Sequence, residues 1–398
     1  MRDLTVPNGR RWNRIGLCLC LTVLMTACTQ KPGGQKPNSN TVIKSPPFEA
    51  NFTAMVLDTK TNKFFLSNQL THRIQVYNAG TDGRTGSFEP VSAAYDIAES
   101  VIALEFDETR NWLYVATNNK ILFIDTNDKS DTQTSRTLVA ATPGEEFTSL
   151  AYFKKSRNLF VGIKKTAYSG KIKVIHLPSD QNDPLSFPSG LLKDEHGYIV
   201  GKYESTREEG SDKLYTASIK SVRRNVYQWD AATDIKNAEI SEPLNLNYLF
   251  GESHAPPGRI ISHPDGKTIY VVTEEGDKGY DGRVPICTVE NKNLSCTAAP
   301  ILLPFQATAG FMHDNTDGTY YLYLAHSQEV INPTRGHENH LFDVHRFEVK
   351  NPTLTPRLIN IDGIDQQARI IQLIVSPFSK QGFALLDVDA NNDKLVVF

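Results

Sequence analysis

The sequence predicts an all-β protein, on the basis of its composition and of a strand-rich unit that recurs along the chain. Its 398 residues include 25 Gly, 21 Pro, 15 Tyr and 19 Phe but only 4 Met. Gly and Pro mark turns and aromatic residues are enriched in strands, so many short strands are favoured over helix bundles. Because 39% of the residues are apolar, the chain can bury a large core.

The recurring unit is an apolar strand, a polar turn, a second strand with aromatic residues, a loop and a third apolar strand. Its clearest copies span Phe52 to Asn78 and Val101 to Asn127, and a degenerate copy spans Lys213 to Trp229. The first apolar residue of the second strand is, copy by copy, Phe64, Leu113, Leu159, Leu214, Ile269, Leu322 and Phe383. Their mean spacing of about 53 residues fits four-stranded propeller blades. The sequence therefore predicts a seven-bladed β-propeller of four-stranded blades.

Two blades of this predicted propeller are incomplete in the sequence pattern. The final copy reaches Phe398 in its third strand, so we expect Thr41 to Lys44 to supply the outer strand and close the ring. In the fourth blade, the segment Ser186 to Ser205 is either an insertion or the first strand of that blade.

Two of the repeats resemble those of a known family. Leu113 to Thr126 reads LYVATNNKILFIDT, and Phe65 to Asn78 reads FLSNQLTHRIQVYN. Both are similar to the repeats of YVTN or YncE-like bacterial propellers, and the resemblance covers the chain from about Phe48 onward. It implies the propeller fold, whereas the roles of such propellers range from binding platforms and assembly factors to enzymes.

The first 27 residues are expected to form a signal peptide. Arg10, Arg11 and Arg14 precede an apolar run from Ile15 to Leu24, in the order typical of secretory signals. From Ile15 to Ala27 the segment has 13 residues, whereas a membrane-spanning helix needs about 20.

The end of this segment, Met-Thr-Ala-Cys28, resembles a bacterial lipobox, which implies that Cys28 is lipidated and anchors the chain to a membrane. By the same resemblance, Thr29 in place of Asp favours the outer membrane of the bacterial cell envelope. Residues 28–47 are predicted to be the lipidated Cys and a flexible, Pro- and Gly-rich tether with the closing strand, and residues 48–398 the propeller.

The two cysteines that follow Cys28 are expected to pair. Cys287 and Cys296 flank a polar Glu-Asn-Lys-Asn turn between two short strands, and an exported chain folds in an oxidising compartment. We therefore predict a disulfide across a hairpin. The alternative, two metal-binding thiolates, lacks a Cys-x-x-Cys partner motif.

Ligand-binding residues are expected on the loops between second and third strands, which share one end of a propeller. Three of these loops are long: Lys164 to Lys171, Thr273 to Arg283, and His326 to His340. Together they indicate a shaped recognition surface.

Three groups of side chains on the loops of this face are candidates for ligand contact. A basic group suits an anionic sugar or lipid headgroup, or is ordinary surface charge: Lys220, Arg223 and Arg224. An acidic group suits calcium, or is a solvated loop: Glu274, Glu275, Asp277 and Asp281. The third combines imidazoles and carboxylate, which suits a transition metal or a hydrogen-bonding polar loop: His326, Arg335, His337, Glu338 and His340.

Charge and motifs limit the functions to be considered. The formal net charge is −3, and no Lys/Arg-rich block follows the first 14 residues, so nucleic acid is not an expected partner. The sequence has no Gly-x-Ser-x-Gly elbow, His-Glu-x-x-His helix, phosphate loop or dinucleotide fingerprint. We expect a monomeric, non-catalytic, envelope-anchored lipoprotein that binds a protein, peptide or glycan. The competing hypothesis is a metal-dependent propeller hydrolase resembling the lactonases, with a divalent cation held by side chains from several blades.

Overall fold

A computed structural model of the chain describes nineteen segments of it. They are residues 52–78, 90–127, 135–166, 169–177, 189–192, 196–204, 212–218, 226–231, 257–273, 283–290, 293–297, 300–303, 307–315, 317–331, 338–349, 357–359, 369–377, 382–387 and 394–398. All of them belong to one compact unit, residues 43–398. The regular elements of these segments are all β-strands, so the predicted all-β class is confirmed.

The strands of the first half form four antiparallel sheets in chain order. Three sheets have four strands and the fourth has three. Their bounds are β1 (Phe52–Asp58), β2 (Lys63–Asn68), β3 (Arg73–Asn78) and β4 (Pro90–Asp96); β5 (Val101–Asp107), β6 (Trp112–Thr117), β7 (Lys120–Asp125) and β8 (Arg136–Ala140); β9 (Glu146–Phe153), β10 (Asn158–Thr166), β11 (Ser169–His176) and β12 (Ser189–Leu192); β13 (His196–Tyr203), β14 (Lys213–Ser218) and β15 (Val226–Asp230).

The second half continues the same pattern with three more sheets and a two-stranded ribbon. The fifth sheet pairs in the order β16-β17-β19-β20, the sixth in the order β22-β23-β24-β25, and the seventh has three strands. The bounds are β16 (Pro257–Ser262), β17 (Thr268–Thr273), β18 (Arg283–Val284), β19 (Ile286–Glu290), β20 (Asn293–Cys296), β21 (Ile301–Leu302), β22 (Ala307–Asp314), β23 (Tyr320–Ile331), β24 (Glu338–Glu348), β25 (Arg357–Ile359), β26 (Arg369–Val375), β27 (Gly382–Asp387) and β28 (Lys394–Val397). The ribbon is β18 paired with β21.

The turns between first and second strands use the chemistry that their sequences predict. Asp58 and Asp107 each accept hydrogen bonds from backbone N–H groups two and three residues further on. The turns then close through Asn62 and Asn111, whose φ angles of 56° and 57° lie in the left-handed region that Asn tolerates. In the fifth sheet, Asp265 accepts from the N–H groups of Lys267 and Thr268, so the His-Pro-Asp-Gly segment is a turn.

A register shift recurs in the first strand of every sheet. In the second to sixth sheets it falls opposite the same two positions of the second strand, so one residue of the first strand is extra. The extra residues are Ile102, Thr148, Gly197, Gly258 and Thr308. Shifts also occur in the first and seventh sheets, close to this position. Such bulges bend a strand and redirect its side chains.

The hydrophobic core lies between consecutive sheets. Among the described residues, seven clusters of buried apolar side chains each join two sheets that follow one another in the chain, except that one joins the seventh sheet to the first. In that last cluster the Phe64 and Phe383 ring centroids are 4.7 Å apart. First strands of successive sheets also contact each other, and β26 contacts β1. Both faces of each sheet are therefore buried against neighbours.

Two uncertainties of the sequence pattern have different outcomes. The segment Ser186 to Ser205 is not an insertion, because β12 completes the third sheet and β13 is the first strand of the fourth. The proposed closing strand, Thr41 to Lys44, lies outside the described residues, as do the signal segment, Cys28 and the tether. In the part of the chain described here, no helix has the length and apolarity that crossing a membrane requires.

Candidate functional site

Most of the side chains predicted to face a ligand lie outside the described residues. This holds for the basic group Lys220, Arg223 and Arg224, for the acidic group Glu274, Glu275, Asp277 and Asp281, and for Arg335 and His337. Of the third group, the backbone of His326, Glu338 and His340 is described, and it changes the interpretation of this segment.

The segment from His326 to His340 is a long hairpin and not a loop, which corrects the sequence interpretation. β23 has 12 residues and β24 has 11, and they pair from Tyr321 opposite Glu348 out to Ile331 opposite Glu338. The sequence does not mark these strands, because its apolar residues Val330, Ile331, Leu341 and Phe342 stand as two adjacent pairs and do not alternate with polar ones. Backbone pairing between the two strands forms the hairpin.

The register of this hairpin separates two of its histidines. His326 is paired with Asp343, and His340 is paired with Glu329. Positions 326 and 329 differ by an odd number, and strand residues alternate between faces, so the two positions lie on opposite faces of the ribbon.

A second hairpin that joins the second and third strands of a sheet is also prolonged. β10 and β11 pair out to Thr166 opposite Ser169, whereas β2 and β6 have only six residues each. Near its tip, Lys171 Nζ lies 2.5 Å from Glu145 Oε1. Burial alone raises the pKa of Glu145, but the hydrogen bonds from Lys171 and Thr142 and the charges of Lys171 and Lys165 together outweigh it, so the pKa is lowered.

Polar side chains that the sequence analysis did not single out lie on the first strands. Lys202 Nζ on β13 is 2.7 Å from Glu105 Oε2 on β5 and donates to the backbone oxygen of Tyr152 on β9 at 3.1 Å. Burial favours the neutral amine, but the carboxylates of Glu105 and Glu204 outweigh it, so the pKa of Lys202 is raised. This ion pair therefore ties together the second, third and fourth sheets.

The junction between the seventh and first sheets is held by an amide side chain. Gln372 Oε1 on β26 accepts from the Met55 N–H at 3.0 Å, and Gln372 Nε2 donates to the Met55 carbonyl at 2.8 Å. Ser376 Oγ, fully buried, donates to Asn62 Oδ1 at 2.7 Å. These bonds join residues more than 300 positions apart, so no local sequence pattern predicts them.

The junction between the fifth and sixth sheets has polar groups of a different kind. Arg259 on β16 is partly buried, and Thr308 on β22 has a buried hydroxyl. Neither side chain has a hydrogen-bond or ion-pair partner among the described residues. Burial lowers the pKa of Arg259, and no described carboxylate opposes that shift. The sequence signal for this residue was a charge placed directly before the apolar strand residues Ile260 and Ile261.

The cysteine pair is arranged as the sequence predicts. Cys287 on β19 is opposite Cys296 on β20, and the two Sγ atoms are 2.08 Å apart, at disulfide distance. The bond closes the outer hairpin of the fifth sheet, and Cys287 is fully buried. Among the described side chains, no group of three or more His, Cys, Asp and Glu is placed to hold a metal ion.

No family model matches this chain, and no curated protein matches it significantly.

Proposed function

We propose that the seven sheets are the blades of a closed seven-bladed propeller. Three observations support this: the apolar clusters between consecutive sheets, the cluster and strand contact between the last sheet and the first, and the Gln372 bonds to Met55. In this arrangement Thr41 to Lys44 adds the outer strand of the last blade. The resemblance of the repeats to YVTN or YncE-like propellers points to the same fold.

We further propose that the protein is an envelope-anchored lipoprotein, attached through Cys28, whose propeller recognises a protein, peptide or glycan. The observation that carries the recognition role is the β23–β24 hairpin. It continues five residue pairs beyond His326, the last residue that pairs with β22, which is about 16 Å of ribbon. The β10–β11 hairpin, by contrast, continues only one residue pair beyond Lys164, the last residue that pairs with β9. A long hairpin that extends beyond its sheet suits binding rather than packing.

The pairing of this ribbon favours a polypeptide among the three classes of ligand. Beyond His326, β23 pairs only with β24, and β24 pairs with β25 only from Val344 to Arg346. The outer edges of the ribbon therefore have no partner strand among the described residues. An extended peptide can add to such an edge through backbone hydrogen bonds.

Crosslinking the full-length lipoprotein in intact cells tests this proposal. One variant replaces residues 327–342 by Asn-Gly, which joins the paired residues His326 and Asp343 through a two-residue turn. A matched control shortens the β10–β11 hairpin by replacing residues 165–169 in the same way. We expect the first variant to lose the crosslinked envelope partner at least tenfold and the control to keep it, with both variants folded by circular dichroism.

The experiment also separates anchoring from recognition. Cys28→Ser should move the protein from the membrane fraction to the soluble fraction without changing its folded spectrum. An identical set of crosslinks from the wild type and from the shortened β23–β24 variant contradicts the recognition role. The lactonase-like alternative depends on ligands outside the described side chains, and a stoichiometric divalent cation in elemental analysis of the full chain would favour it over recognition alone.

A further inference from the structure

One face of the sixth sheet carries an arginine among aromatic side chains. Val344 on β24 belongs to the apolar cluster between the sixth and seventh sheets, and Arg346, two positions further on, lies on the same face. Arg346 is half-buried, and its guanidinium carbon is 4.5 Å from the centroid of the Tyr321 ring. Tyr323, directly opposite Arg346, has its ring centroid 6.1 Å from that of Phe398, next to β28. The Tyr321 ring restricts the guanidinium, but its face supplies neither a counter-charge nor an oxygen acceptor.

A second arginine is paired with Arg346 in the sheet. Arg357 on β25 is directly opposite Arg346, so both positions lie on one face with their Cβ atoms about 5 Å apart. Like charges at directly opposite positions are unfavourable. No described carboxylate forms an ion pair with Arg346, whereas Arg110 in the second sheet pairs with Asp107 at 2.7 Å. The two arginine positions therefore favour an anion from outside the described residues.

An anion that contacts both arginines needs oxygens directed at each of them. A guanidinium offers its N–H groups in a planar fork, which matches the oxygens of a phosphate or a carboxylate. A tetrahedral phosphate directs its oxygens out of one plane, so two guanidinium groups can donate to it together. A phosphate therefore suits this pair better than a carboxylate.

The position of the pair in the proposed propeller indicates the source of that phosphate, and this step rests on the proposed function. In the propeller, Thr41 to Lys44 pairs with β28, in the sheet that Arg346 faces. Residues 29–40 separate this strand from the lipidated Cys28, and they span at most about 40 Å when extended. The membrane that holds the anchor is therefore within reach of the side of the propeller that carries the two arginines.

We propose that Arg346 and Arg357 bind the phosphate group of an anionic membrane lipid, on the outer strands of the sixth sheet. Two basic residues give weak, reversible affinity for an anionic surface, so the contact orients a chain that the anchor already holds. Glu338, at the far end of the β23–β24 ribbon, precedes Arg346 on β24 by eight positions, which is about 27 Å. The lipid contact therefore holds the far end of the ribbon away from the membrane, where a partner can reach it.

Photocrosslinking of the full-length lipoprotein in vesicles tests this contact. Glu348→p-benzoylphenylalanine places a crosslinker on the face of Arg346, at an exposed position. In vesicles of phosphatidylglycerol and phosphatidylcholine it should crosslink to lipid at least tenfold more than in phosphatidylcholine alone, because a zwitterionic surface does not attract the arginines. Adding Arg346→Gln and Arg357→Gln should reduce the crosslink at least fivefold. The matched control is Arg136→p-benzoylphenylalanine, at an exposed position of the outer strand β8, which should give the same low yield in both kinds of vesicle.

The outcomes separate the lipid site from the proposed anchor. A chain that associates with the vesicles but gives no lipid crosslink from position 348 overturns the lipid site alone. A chain that does not associate overturns the anchor and the lipid site together. A crosslink that survives both arginine substitutions also overturns the lipid site, and so does calorimetric binding of inorganic phosphate without any lipid crosslink, which assigns the pair to free phosphate.

Two further measurements distinguish a phosphate site from general charge and from packing. Inorganic phosphate should reduce the crosslink more than sodium chloride at the same ionic strength, because it competes for the same N–H groups; equal effects would overturn the site. Without vesicles, Arg346→Gln should be at least as stable to urea as the wild type, because it removes one of two like charges. A less stable variant would show that Arg346 serves packing, against the proposal.

Discussion

The junction between the seventh and first sheets and the junction between the fifth and sixth sheets are built on similar apolar clusters but differ in their polar groups. At the first, Gln372, Ser376 and Asn62 bond across the junction. At the second, Arg259 and Thr308 have no partners among the described residues. The apolar cluster holds two sheets together in both places, so the polar groups at the two junctions are free to differ.

The largest expected effect comes from breaking the junction between the seventh and first sheets. Gln372→Leu leaves the N–H and carbonyl of Met55 without partners, and should lower the free energy of unfolding by about 3 kcal/mol. Urea denaturation measures it. Gln69→Leu is the matched control, since the Gln69 amide makes a single part-buried bond to Ser100 Oγ, and should cost about 1 kcal/mol or less. Equal stability of the two variants would mean that Gln372 does not hold this junction.

An intermediate effect is expected from the disulfide, which secures the fifth sheet on its outer side, away from Arg259. The double variant Cys287→Ala, Cys296→Ala opens a crosslink of sequence separation 9, and should cost about 2.5 kcal/mol of unfolding free energy. Mass spectrometry after thiol alkylation verifies the bond in the wild type. Combined with Gln372→Leu, the two losses should add, because distant sites act independently. Strong coupling would show that the fifth sheet and the junction between the seventh and first sheets are not independent.

The smallest effect concerns the turn that follows the Arg259 strand, and it depends on pH. Burial alone raises the pKa of Asp265, but the N–H groups of Thr268 and Lys267 lower it below the ordinary value of 3.8. The stabilisation from the charged carboxylate is therefore present above about pH 4 and is lost as the pH falls through the folded-state pKa. Asp265→Ala should cost about 1 kcal/mol at pH 7, and the difference from wild type should shrink towards pH 3.

Denaturation at the two pH values measures this difference. Asp96→Ala is the control, since it removes an exposed ion pair with Arg73 and should change stability very little at either pH. A loss for Asp265→Ala that does not depend on pH would show that the carboxylate charge is not what stabilises the turn of the fifth sheet.

Whether a feature can be predicted from the sequence depends on how far apart along the chain its residues lie. The spacing of residues such as Phe64 and Leu113 locates the second strands, because each strand carries its own apolar pattern. The β23–β24 hairpin was missed beyond His326, since its apolar residues stand as adjacent pairs and do not alternate with polar ones. The bonds of Gln372 and the pairing of Lys202 with Glu105 join positions far apart in the chain, and only the assembled sheets bring them together. Arg259 was passed over because a single charge beside an apolar strand does not reveal whether a partner faces it.

The bond between Gln372 and Met55 also has a consequence for the order of folding. The first sheet can form its own hairpins as soon as its strands exist, since its contacts are local. The face of this sheet that packs against β26, however, stays uncovered until β26 has been synthesised, because Gln372 lies 317 residues after Met55. Contacts of such long sequence separation form slowly because their loop-closure entropy is large. Until then, the apolar side chains of Phe52, Met55 and Phe64 remain exposed, so the nascent chain is most vulnerable to aggregation and proteolysis at its first sheet.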